Sequence, residues 1–279
     1  MGKSVLILPG GGAKGRWQAG VIHALHDNGS RWNTIIGTSV GSINAAAYGI
    51  LGPETLSNLW ETDVRATSDI LSPTGWWKYI KGPYNILFKG GFYNLNPCRN
   101  ILTKHLSGKS PVFCDDIYVC KVSIRTGRVV YAHHSEDDFI ESILGSSSIP
   151  GVIQPIGEWA DGSLNERSVI KRAIKQGADK ITVILCDQFV PTNVTESRFA
   201  ILNILRSAHA IAHESIVREI HKCVAHNTEG SKRFIDLEVY APLGDTVGTL
   251  EFGPKDPHNI WKRGYNVGSH DPVTLIDVE

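Results

Sequence analysis

One five-residue stretch of the sequence predicts a nucleophile. Residues 37–41 read GTSVG, a G-x-S-x-G motif placed between an apolar segment and a helical pattern. In that context the motif is typical of a sharp strand-to-helix turn that presents the serine hydroxyl to a substrate. Gly37 and Gly41 would permit the turn, and a helix that begins near Val40 would place its positive end beneath a developing negative charge. The stretch therefore predicts Ser39 as the nucleophile of an acyl-transfer reaction.

A run of glycines at the end of the first apolar segment, LILPGGG, predicts an anion site. Glycine leaves the backbone N–H groups bare where a helix begins, and such groups bind anions. Gly10, Gly12 and Gly15 match the dinucleotide pattern G-x-G-x-x-G, but no acidic residue ends the second strand about 20 residues on, where the ribose would be held. Arg16 and Trp17 stand where a phosphate loop has Lys and Ser or Thr. Two interpretations are left open: the backbone N–H groups bind an oxyanion, or the glycines form a turn that is needed only for close packing.

A serine nucleophile needs a base, and the residues offer two kinds. In the order Ser, Asp, His that α/β hydrolases show, the histidine comes last, and His258 and His270 occupy such positions. The alternative is Asp161, in the stretch WADGSLN, where an isolated Asp-Gly pair is more typical of a simple turn. The residues alone leave both kinds of base open.

Strands and helices that would position these residues alternate along the chain. Apolar strands are predicted at 4–9, 33–39, 179–187 and 232–243, and helices at 14–29, 40–51, 53–64, 168–178 and 197–227. Residues 117–134 read as a β-hairpin that turns at Thr126 and Gly127. This alternation indicates an α/β fold with a mostly parallel central sheet and helices on both faces. A single domain over 1–279 is the simplest division.

Composition restricts the class of protein. The 28 basic and 28 acidic residues balance, so net charge does not indicate a nucleic-acid partner. The five cysteines are odd in number and widely spaced, which predicts reduced thiols rather than disulfides or a zinc site. No stretch has the roughly 18 apolar residues of a membrane span. We expect a cytoplasmic protein that is at most peripheral at membranes; its oligomeric state is not predicted.

The remaining histidines do not predict a metal site. His209, His213 and His221 have helical spacing, but the order H-x-x-x-H-E differs from the H-E-x-x-H of metalloproteases. A helix that carries surface or packed histidines is the simpler interpretation. The sequence also contains no calcium-loop pattern. We therefore expect neither a metal nor another cofactor.

Taken together, the motifs resemble the patatin-like phospholipases and acyl hydrolases. The segments that carry the resemblance follow the family's order: GGGAKG with WQAGV, then GTSVG, then GSSSIPGVIQPI, then ADGSLNERSVIKRAIKQGADKITVI. Lys14 stands where the family's glycine loop has Arg or Lys, and residues 249–268 are similar to its closing strand and helix. The chain differs in having Ser163 where the D-G-G or D-G-A motif has its third residue, and Glu166 where Pro often follows Asn165.

The resemblance implies a patatin-like three-layer sandwich and a Ser39–Asp161 catalytic dyad with no histidine. An aspartate with an ordinary pKa of about 4 is a weak base, so the dyad requires close contact and partial desolvation of Asp161. The implied oxyanion hole consists of backbone N–H groups, and further glycines and a lysine support the site; these residues are Gly10, Gly11, Gly12, Lys14, Gly15 and Gly162.

We accordingly expect a serine hydrolase that cleaves fatty acyl esters of phospholipids or lysophospholipids through an acyl-serine intermediate. Two alternatives stay open. One is a general carboxylesterase with a Ser–His–Asp triad that uses His258 or His270. The other is a non-catalytic module that keeps the glycine loop to bind a nucleotide or lipid.

Residues 66–114 could form a lid or a membrane contact. Between Ile70 and Cys114 the sequence has six basic residues and no acidic one, together with aromatic residues that include Trp76 and Trp77. Lysines mixed with amphipathic aromatic rings suit an anionic lipid surface. An ordinary cap whose aromatic side chains form a small core fits the same pattern.

Overall fold

A computed structural model describes residues 2–74, 90–190, 200–228, 234–244, 246–253, 256–270 and 272. Its strands are β1 (Lys3–Leu8), β2 (Thr34–Thr38), β3 (Ser72–Pro73), β4 (Tyr93–Asn94), β5 (Asp116–Ser123), β6 (Val129–His133), β7 (Trp159–Asp161), β8 (Ala178–Ile184) and β9 (Asp236–Tyr240). The main sheet has the order β6-β5-β2-β1-β8-β9, and β7 also pairs with β5. All neighbours are parallel except β6 and β7, which run antiparallel to β5.

Helices lie between these strands. They are α1 (Gly15–Asp27), α2 (Val40–Leu51), α3 (Pro53–Asn58), α4 (Asn96–Leu106), α5 (Phe139–Ser146), α6 (Val169–Lys175), α7 (Ala200–Thr228) and α8 (Pro257–Gly268). A π-helical turn at Leu59–Asp63 continues α3, and 3₁₀ turns occupy Gly12–Lys14, Thr67–Asp69 and Gly162–Leu164. None of the helices in these described ranges has the length and apolar character needed to cross a bilayer.

The central sheet is covered on both faces. Along β1, Leu6 and Leu8 belong to the apolar cluster that α1 to α5 and α8 complete, whereas Val5 and Ile7 belong to the cluster on α6 and α7. Successive side chains of a strand point to opposite faces, so a continuous apolar run such as this one requires cover on both sides. The predicted α/β architecture with a mostly parallel sheet is confirmed.

Most of the predicted elements are confirmed, including the hairpin of β5 and β6 and the helix that begins at Val40. The closing strand that the resemblance implied at the start of residues 249–268 is wrong, because Thr249 and Leu250 lie in a turn and the other described residues before α8 form no strand. The carbonyl of Thr249 accepts a hydrogen bond of 2.9 Å from the N–H of Ala13. This backbone group therefore supports the glycine loop.

The lid prediction falls partly outside the described residues. Residues 75–89, with Trp76 and Trp77, are not among them. On either side of that segment, β3 and β4 pair antiparallel and α4 follows, with Leu102 and Leu106 buried in the core. A lid over residues 66–114 stays a prediction.

Candidate active site

Strand β5 brings Ser39 and Asp161 together. It pairs with β2 so that Thr38 lies opposite Cys120, and with β7 so that Asp161 lies opposite Lys121. Strand β6 occupies the other edge of β5 along the same residues, so β2 and β7 lie end to end on one edge. The residue that follows β2 and the last residue of β7 must therefore meet.

Ser39 has a strained backbone at the mouth of α2. Its φ is 55° and its ψ is −130°, and it is the one non-glycine residue with positive φ in the described part of the chain. Such a conformation costs of the order of 1–3 kcal/mol. The surroundings hold it in place: Ser39 N–H donates to Ser146 Oγ at 2.9 Å, and Ser42 Oγ donates to the Ser39 carbonyl at 2.6 Å.

The two flanking glycines are required by close contacts. A Cβ atom on Gly37 would lie 2.4 Å from the carbonyl oxygen of Gly41, and one on Gly41 would lie 1.9 Å from the carbonyl oxygen of Leu8. No side chain fits at these distances. The G-x-S-x-G spacing therefore has a steric reason in the packing of α2 against β1.

The glycine loop adjoins Ser39. A Cβ atom on Gly10 would lie 2.8 Å from the Cβ of Ser39 and 3.4 Å from its Oγ. Gly12 has a φ of 59°, and a Cβ there would lie 2.1 Å from the carbonyl oxygen of Thr249. Within the described ranges, the N–H groups of Gly10, Gly11 and Gly12 have no hydrogen-bond acceptor. Of the three glycines, Gly10 is the one that these distances place beside the Ser39 hydroxyl.

Asp161 is buried, with 1% of its surface exposed, and caps the 3₁₀ turn at Gly162–Leu164. Its Oδ1 accepts hydrogen bonds from Ser163 N–H at 2.9 Å and Ser163 Oγ at 2.6 Å. Burial raises the pKa of Asp161, while hydrogen bonds from Ser163 and Ser39 and the charge of His209 oppose the rise. The Asp-Gly pair thus forms a turn and also faces the predicted nucleophile.

An ionic cluster beside the site includes residues that the sequence did not single out. Lys14 Nζ contacts Asp187 Oδ1 and lies 3.4 Å from His209 Nε2, and that same nitrogen contacts Asp187 Oδ2. Burial would raise the pKa of Asp187, but the hydrogen bonds and charges of His209 and Lys14 lower it well below its ordinary value. His209 was interpreted as a surface or packed helix residue, whereas it belongs to this cluster. Asp187 is the third residue after the apolar strand β8, and a carboxylate at the end of such a strand was the signal available.

The remaining predicted supporting glycines serve packing. A Cβ on Gly15 would lie 2.4 Å from Val40 Cγ2, so this glycine permits the close approach of α1 and α2. A Cβ on Gly162 would lie 2.4 Å from the carbonyl oxygen of Cys120 on β5. Both positions maintain the approach of the elements that carry the site.

Two adjoining cavities meet at this site. The larger encloses about 1060 Å³, open mouth included, and is lined by Ser39, Asp161, Gly10, Gly11 and Gly12 and by a mainly apolar wall: Val40, Ile43, Ala47, Leu56, Leu59, Trp60, Ile70, Leu71, Leu95, Ile101, Leu102 and Phe252. The smaller encloses about 560 Å³, and its wall includes ionisable side chains: Glu166, Arg167, Asp187, His213 and Glu219. Gly10, Ser163, His209 and Ala212 line both.

The two histidines of the predicted triad lie elsewhere. His258 is exposed and its Nδ1 is 2.8 Å from Glu61 Oε1, while His270 Nδ1 is 2.5 Å from the carbonyl oxygen of Asn266. Neither lines the cavity that contains Ser39. A triad built on His258 or His270 is therefore wrong.

One group of side chains in the described residues could approach a metal ion, namely Asp116, His133 and His134. It lies at the start of β5, at the opposite end of that strand from Asp161. His133 Nε2 pairs with Asp116 Oδ1 at 3.0 Å, and His134 Nδ1 accepts from the N–H of Ile117 at 3.2 Å. A neutral His134 ring then carries its proton on Nε2, and a protonated ring nitrogen has no lone pair with which to bind a metal ion.

Comparisons with known proteins give a family match and several curated relatives. The family model described as "Patatin-like phospholipase" matches residues 6–174, more than half of the chain. Lysophospholipase nte1 of Aspergillus terreus is 26% identical over 293 residues, covering 96% of this chain and 18% of that protein. Lysophospholipase NTE1 of Coccidioides immitis is 25% identical over 293 residues, covering 96% and 17%. The chain thus spans less than a fifth of the length of these curated relatives.

Two solved structures are also similar. VipD from Legionella pneumophila matches with a TM-score of 0.47 and 13% identity, over 96% of this chain and 66% of that one. The type III effector protein ExoU matches with a TM-score of 0.42 and 12% identity, over 96% of this chain and 52% of that one.

Proposed function

The chain belongs to the patatin-like phospholipase family, and on that premise we propose that it hydrolyses fatty acyl esters of lysophospholipids or phospholipids, with Ser39 as the nucleophile and Asp161 as its base. The observation that carries the proposal is the meeting of a strained serine and a buried aspartate at the wall of one apolar cavity. The lysophospholipases among the relatives support a lipid ester as substrate.

The reaction begins when Asp161 accepts the proton of Ser39 Oγ as that oxygen attacks the acyl carbonyl carbon. The tetrahedral oxyanion then faces the N–H groups of Gly10, Gly11 and Gly12, and the N-terminus of α2 adds positive potential beneath it. Collapse breaks the ester bond, and the proton on Asp161 passes to the departing alcohol. In the second half, Asp161 takes a proton from the water that attacks acyl-Ser39; the bond between the acyl carbon and Ser39 Oγ then breaks, the proton passes from Asp161 to Ser39 Oγ, and the fatty acid is released.

Burial of Asp161 supports its role as the base. A carboxylate of ordinary pKa is too weakly basic to deprotonate a serine readily, and catalysis improves as the pKa of the base approaches the working pH. Burial raises the pKa of Asp161, as the proposal requires. Hydrogen bonds from Ser163 and Ser39 and the charge of His209 oppose the rise, because they stabilise the charged carboxylate.

Each of the two cavities binds a different part of the substrate. An apolar chain of a fatty acid fits the larger cavity, whose walls come from α2, α3, α4 and the loop at 246–253. The smaller cavity, with its ionisable side chains, receives the polar alcohol half of the ester. A substrate with one acyl chain and a polar head group uses both cavities at once.

Among the described residues that line the cavity of Ser39, His209 is the one histidine. Its Nε2 already contacts Asp187 and lies 3.4 Å from Lys14 Nζ. That nitrogen is therefore committed to the ionic cluster and is not presented to Ser39. We assign the base to Asp161 for this reason.

We extend the proposal to a peripheral contact with membranes, through residues 66–114. The sequence pattern of lysines and aromatic residues supports it. Replacing Trp76 and Trp77 with Ala should weaken sedimentation with vesicles of anionic phospholipid more than it slows hydrolysis of a short soluble ester. Equal losses in both assays would assign the two tryptophans a structural role.

The decisive experiment measures fatty acid release from palmitoyl lysophosphatidylcholine and from mixed phospholipid vesicles. Wild type is compared with Ser39→Ala, Asp161→Asn and His209→Gln, each shown to be folded by circular dichroism. We expect release by wild type and by His209→Gln, and a loss of at least 100-fold in the other two. Release that survives in Asp161→Asn but not in His209→Gln would move the base to the histidine. Release that survives in Ser39→Ala would overturn the proposal.

A fluorophosphonate probe supplies an independent measurement, because it labels an activated serine without any lipid. Labelling of wild type with the adduct on Ser39 supports a serine hydrolase. Wild type that is not labelled supports a binding module that only holds its ligand. Labelling together with silence on every lipid would keep the nucleophile and refute the substrate.

A further inference from the structure

Ser163 occupies a position in which the family motif has a residue without a side-chain hydrogen-bond donor. Both of its donors are directed at one atom: the hydroxyl lies 2.6 Å and the N–H 2.9 Å from Oδ1 of Asp161. We propose that Ser163 is a positioning residue, which fixes the Asp161 carboxylate through Oδ1 and leaves Oδ2 to receive the proton of Ser39. This inference rests on the function proposed above.

The argument starts from the capacity of a carboxylate. Each oxygen offers about two lone pairs to donors, and Ser163 supplies two donors to Oδ1. The carboxylate plane is otherwise free to turn about the Cβ–Cγ bond, since that torsion has a broad profile. With Gly or Ala at position 163 only the backbone N–H would remain. The hydroxyl therefore adds the second donor that restricts rotation.

Ser163 is well placed for this role. It lies in the 3₁₀ turn that Asp161 caps, so its distance from the carboxylate is determined by local backbone geometry. The turn itself is anchored: the N–H of Glu166 donates 2.9 Å to the carbonyl of Gly162, and the Glu166 carboxylate is held by Tyr131 and Cys120. Ser163 also lines both cavities, at their junction beside the base.

The hydroxyl has a consequence for ionisation. A donor to a carboxylate stabilises the charged form, so it keeps the aspartate ionised to lower pH. Burial acts in the opposite sense on the pKa of Asp161. Removing the Ser163 hydroxyl must therefore raise that pKa further. The acid limb of the activity profile should move to higher pH by roughly one unit, which is a tenfold change in proton affinity.

Other charged and titratable groups surround Asp161, and the design of the test has to keep them constant. They are His209 from α7, Cys120 and Lys121 from β5, Lys14 from the glycine loop, Asp187 after β8, and Glu166 after the turn. Lys121 is committed elsewhere, since its Nζ donates to Ser142 Oγ at 2.7 Å. None of these groups contacts the Ser163 hydroxyl, whose one described partner is Asp161. A substitution at 163 thus changes one donor to the base.

The experiment compares Ser163→Ala, Ser163→Thr and the wild type between pH 4 and pH 9. Threonine retains a hydroxyl, so it should restore what alanine loses. The control is Ser57→Ala, which removes another buried serine hydroxyl, in contact with His23 Nδ1 at 2.8 Å, and which lines neither cavity. Two readouts are followed: kcat/KM for palmitoyl lysophosphatidylcholine, and the rate at which a fluorophosphonate labels Ser39.

We expect Ser163→Ala to shift the acid limb upward by roughly one pH unit in both readouts, so that on that limb, below both midpoints, the rate falls about tenfold. Ser163→Thr should lie within twofold of wild type, and Ser57→Ala should keep the wild-type pH profile even if it unfolds at lower temperature. Profiles of wild type and Ser163→Ala that superimpose would overturn the role of Ser163. An equal shift in alanine and threonine variants would also overturn it, because packing rather than the hydroxyl would then be responsible.

Failure of the proposed function gives a different result. Wild type that neither hydrolyses the lipid nor reacts with the fluorophosphonate refutes the nucleophile, and the role of Ser163 with it. Wild type that is active and loses activity in Ser39→Ala, together with an unchanged Ser163→Ala profile, refutes the role of Ser163 alone.

Discussion

Replacing Ser39 with glycine should stabilise the protein relative to replacement with alanine, although both variants lack the proposed nucleophile. Both substitutions remove the hydroxyl and its contact with Asp161 equally. They differ in that alanine keeps a Cβ atom at a backbone with φ 55° and ψ −130°, whereas glycine does not. The comparison therefore isolates the strain that the turn imposes on Ser39.

The magnitude follows from two opposing contributions. Relief of strain in such a region is worth of the order of 1–3 kcal/mol, and the extra freedom of glycine in the unfolded chain costs about 0.4–1 kcal/mol. Taking about 2 and about 0.7 kcal/mol as central values leaves a net gain of about 1.3 kcal/mol for glycine over alanine. At about 2–4 °C per kcal/mol for a chain approaching this size, the expected rise in Tm is roughly 3–5 °C.

The assay is urea unfolding followed by tryptophan fluorescence, with Tm measured by circular dichroism as a second observable. A matched control is Ser42→Gly against Ser42→Ala in α2, where φ is not positive. There glycine should be less stable than alanine by about 1 kcal/mol, because glycine is a poor helix former. The reasoning is refuted if glycine is also the less stable choice at Ser39.

Three further predictions concern the surroundings of the site. Asp187→Asn should destabilise the protein by roughly 1–3 kcal/mol at pH 7, because a hydrogen-bonded ion is lost. The pKa of Asp187 is lower in the folded protein than in the unfolded chain, so this stability is present above the unfolded pKa of about 4 and is lost as the pH falls below it. In urea unfolding the stabilities of the two proteins should therefore converge under acid conditions, and a constant difference would contradict the argument. Ile101→Trp fills the apolar cavity and should lower kcat/KM at least tenfold for a palmitoyl ester while leaving a butyryl ester within threefold; parallel losses would show that this wall does not contact the acyl chain. Gly10→Ala keeps the backbone N–H but places a Cβ 2.8 Å from that of Ser39, which must displace the glycine loop or Ser39; kcat should fall by about 10²–10³, as it does when an oxyanion donor is lost. Gly244→Ala, whose Cβ would have no neighbour nearer than 3.8 Å, should match wild type in the same hydrolysis assay.

Several local features could be predicted because they depend on neighbours in sequence. The apolar run Val5–Leu8 determines a strand buried on both faces, whatever the connections between elements. The GTSVG spacing predicts a turn, because a Cβ atom on Gly37 would lie 2.4 Å from the carbonyl oxygen of Gly41 within the same motif. The Asp-Gly pair at 161–162 predicts the turn that Asp161 caps. In each case the physical constraint lies within a few residues.

Other features could not be read in this way, since their causes lie between distant segments. The start of residues 249–268 resembles a closing strand of the family, yet it forms a turn in which the carbonyl of Thr249 accepts a hydrogen bond from the N–H of Ala13 in the glycine loop. His209 has the spacing of an ordinary helix residue, and only the approach of α7 to β8 and the glycine loop places it against Asp187 and Lys14. His258 and His270 lie on the surface rather than at the site, and nothing in their local sequence indicates this exposure.

The sequence by itself indicated the turn at Ser39 and the alternation of strands and helices, because the G-x-S-x-G spacing and hydrophobic periodicity can be recognised over short spans. The tertiary structure decided which group faces Ser39. It depends on the register of the strands paired with β5. On one edge of β5, β2 extends as far as Cys120 and β7 reaches Lys121, so that Ser39 and Asp161, far apart in the chain, lie close together. Register is a property of paired strands, and no single segment contains it.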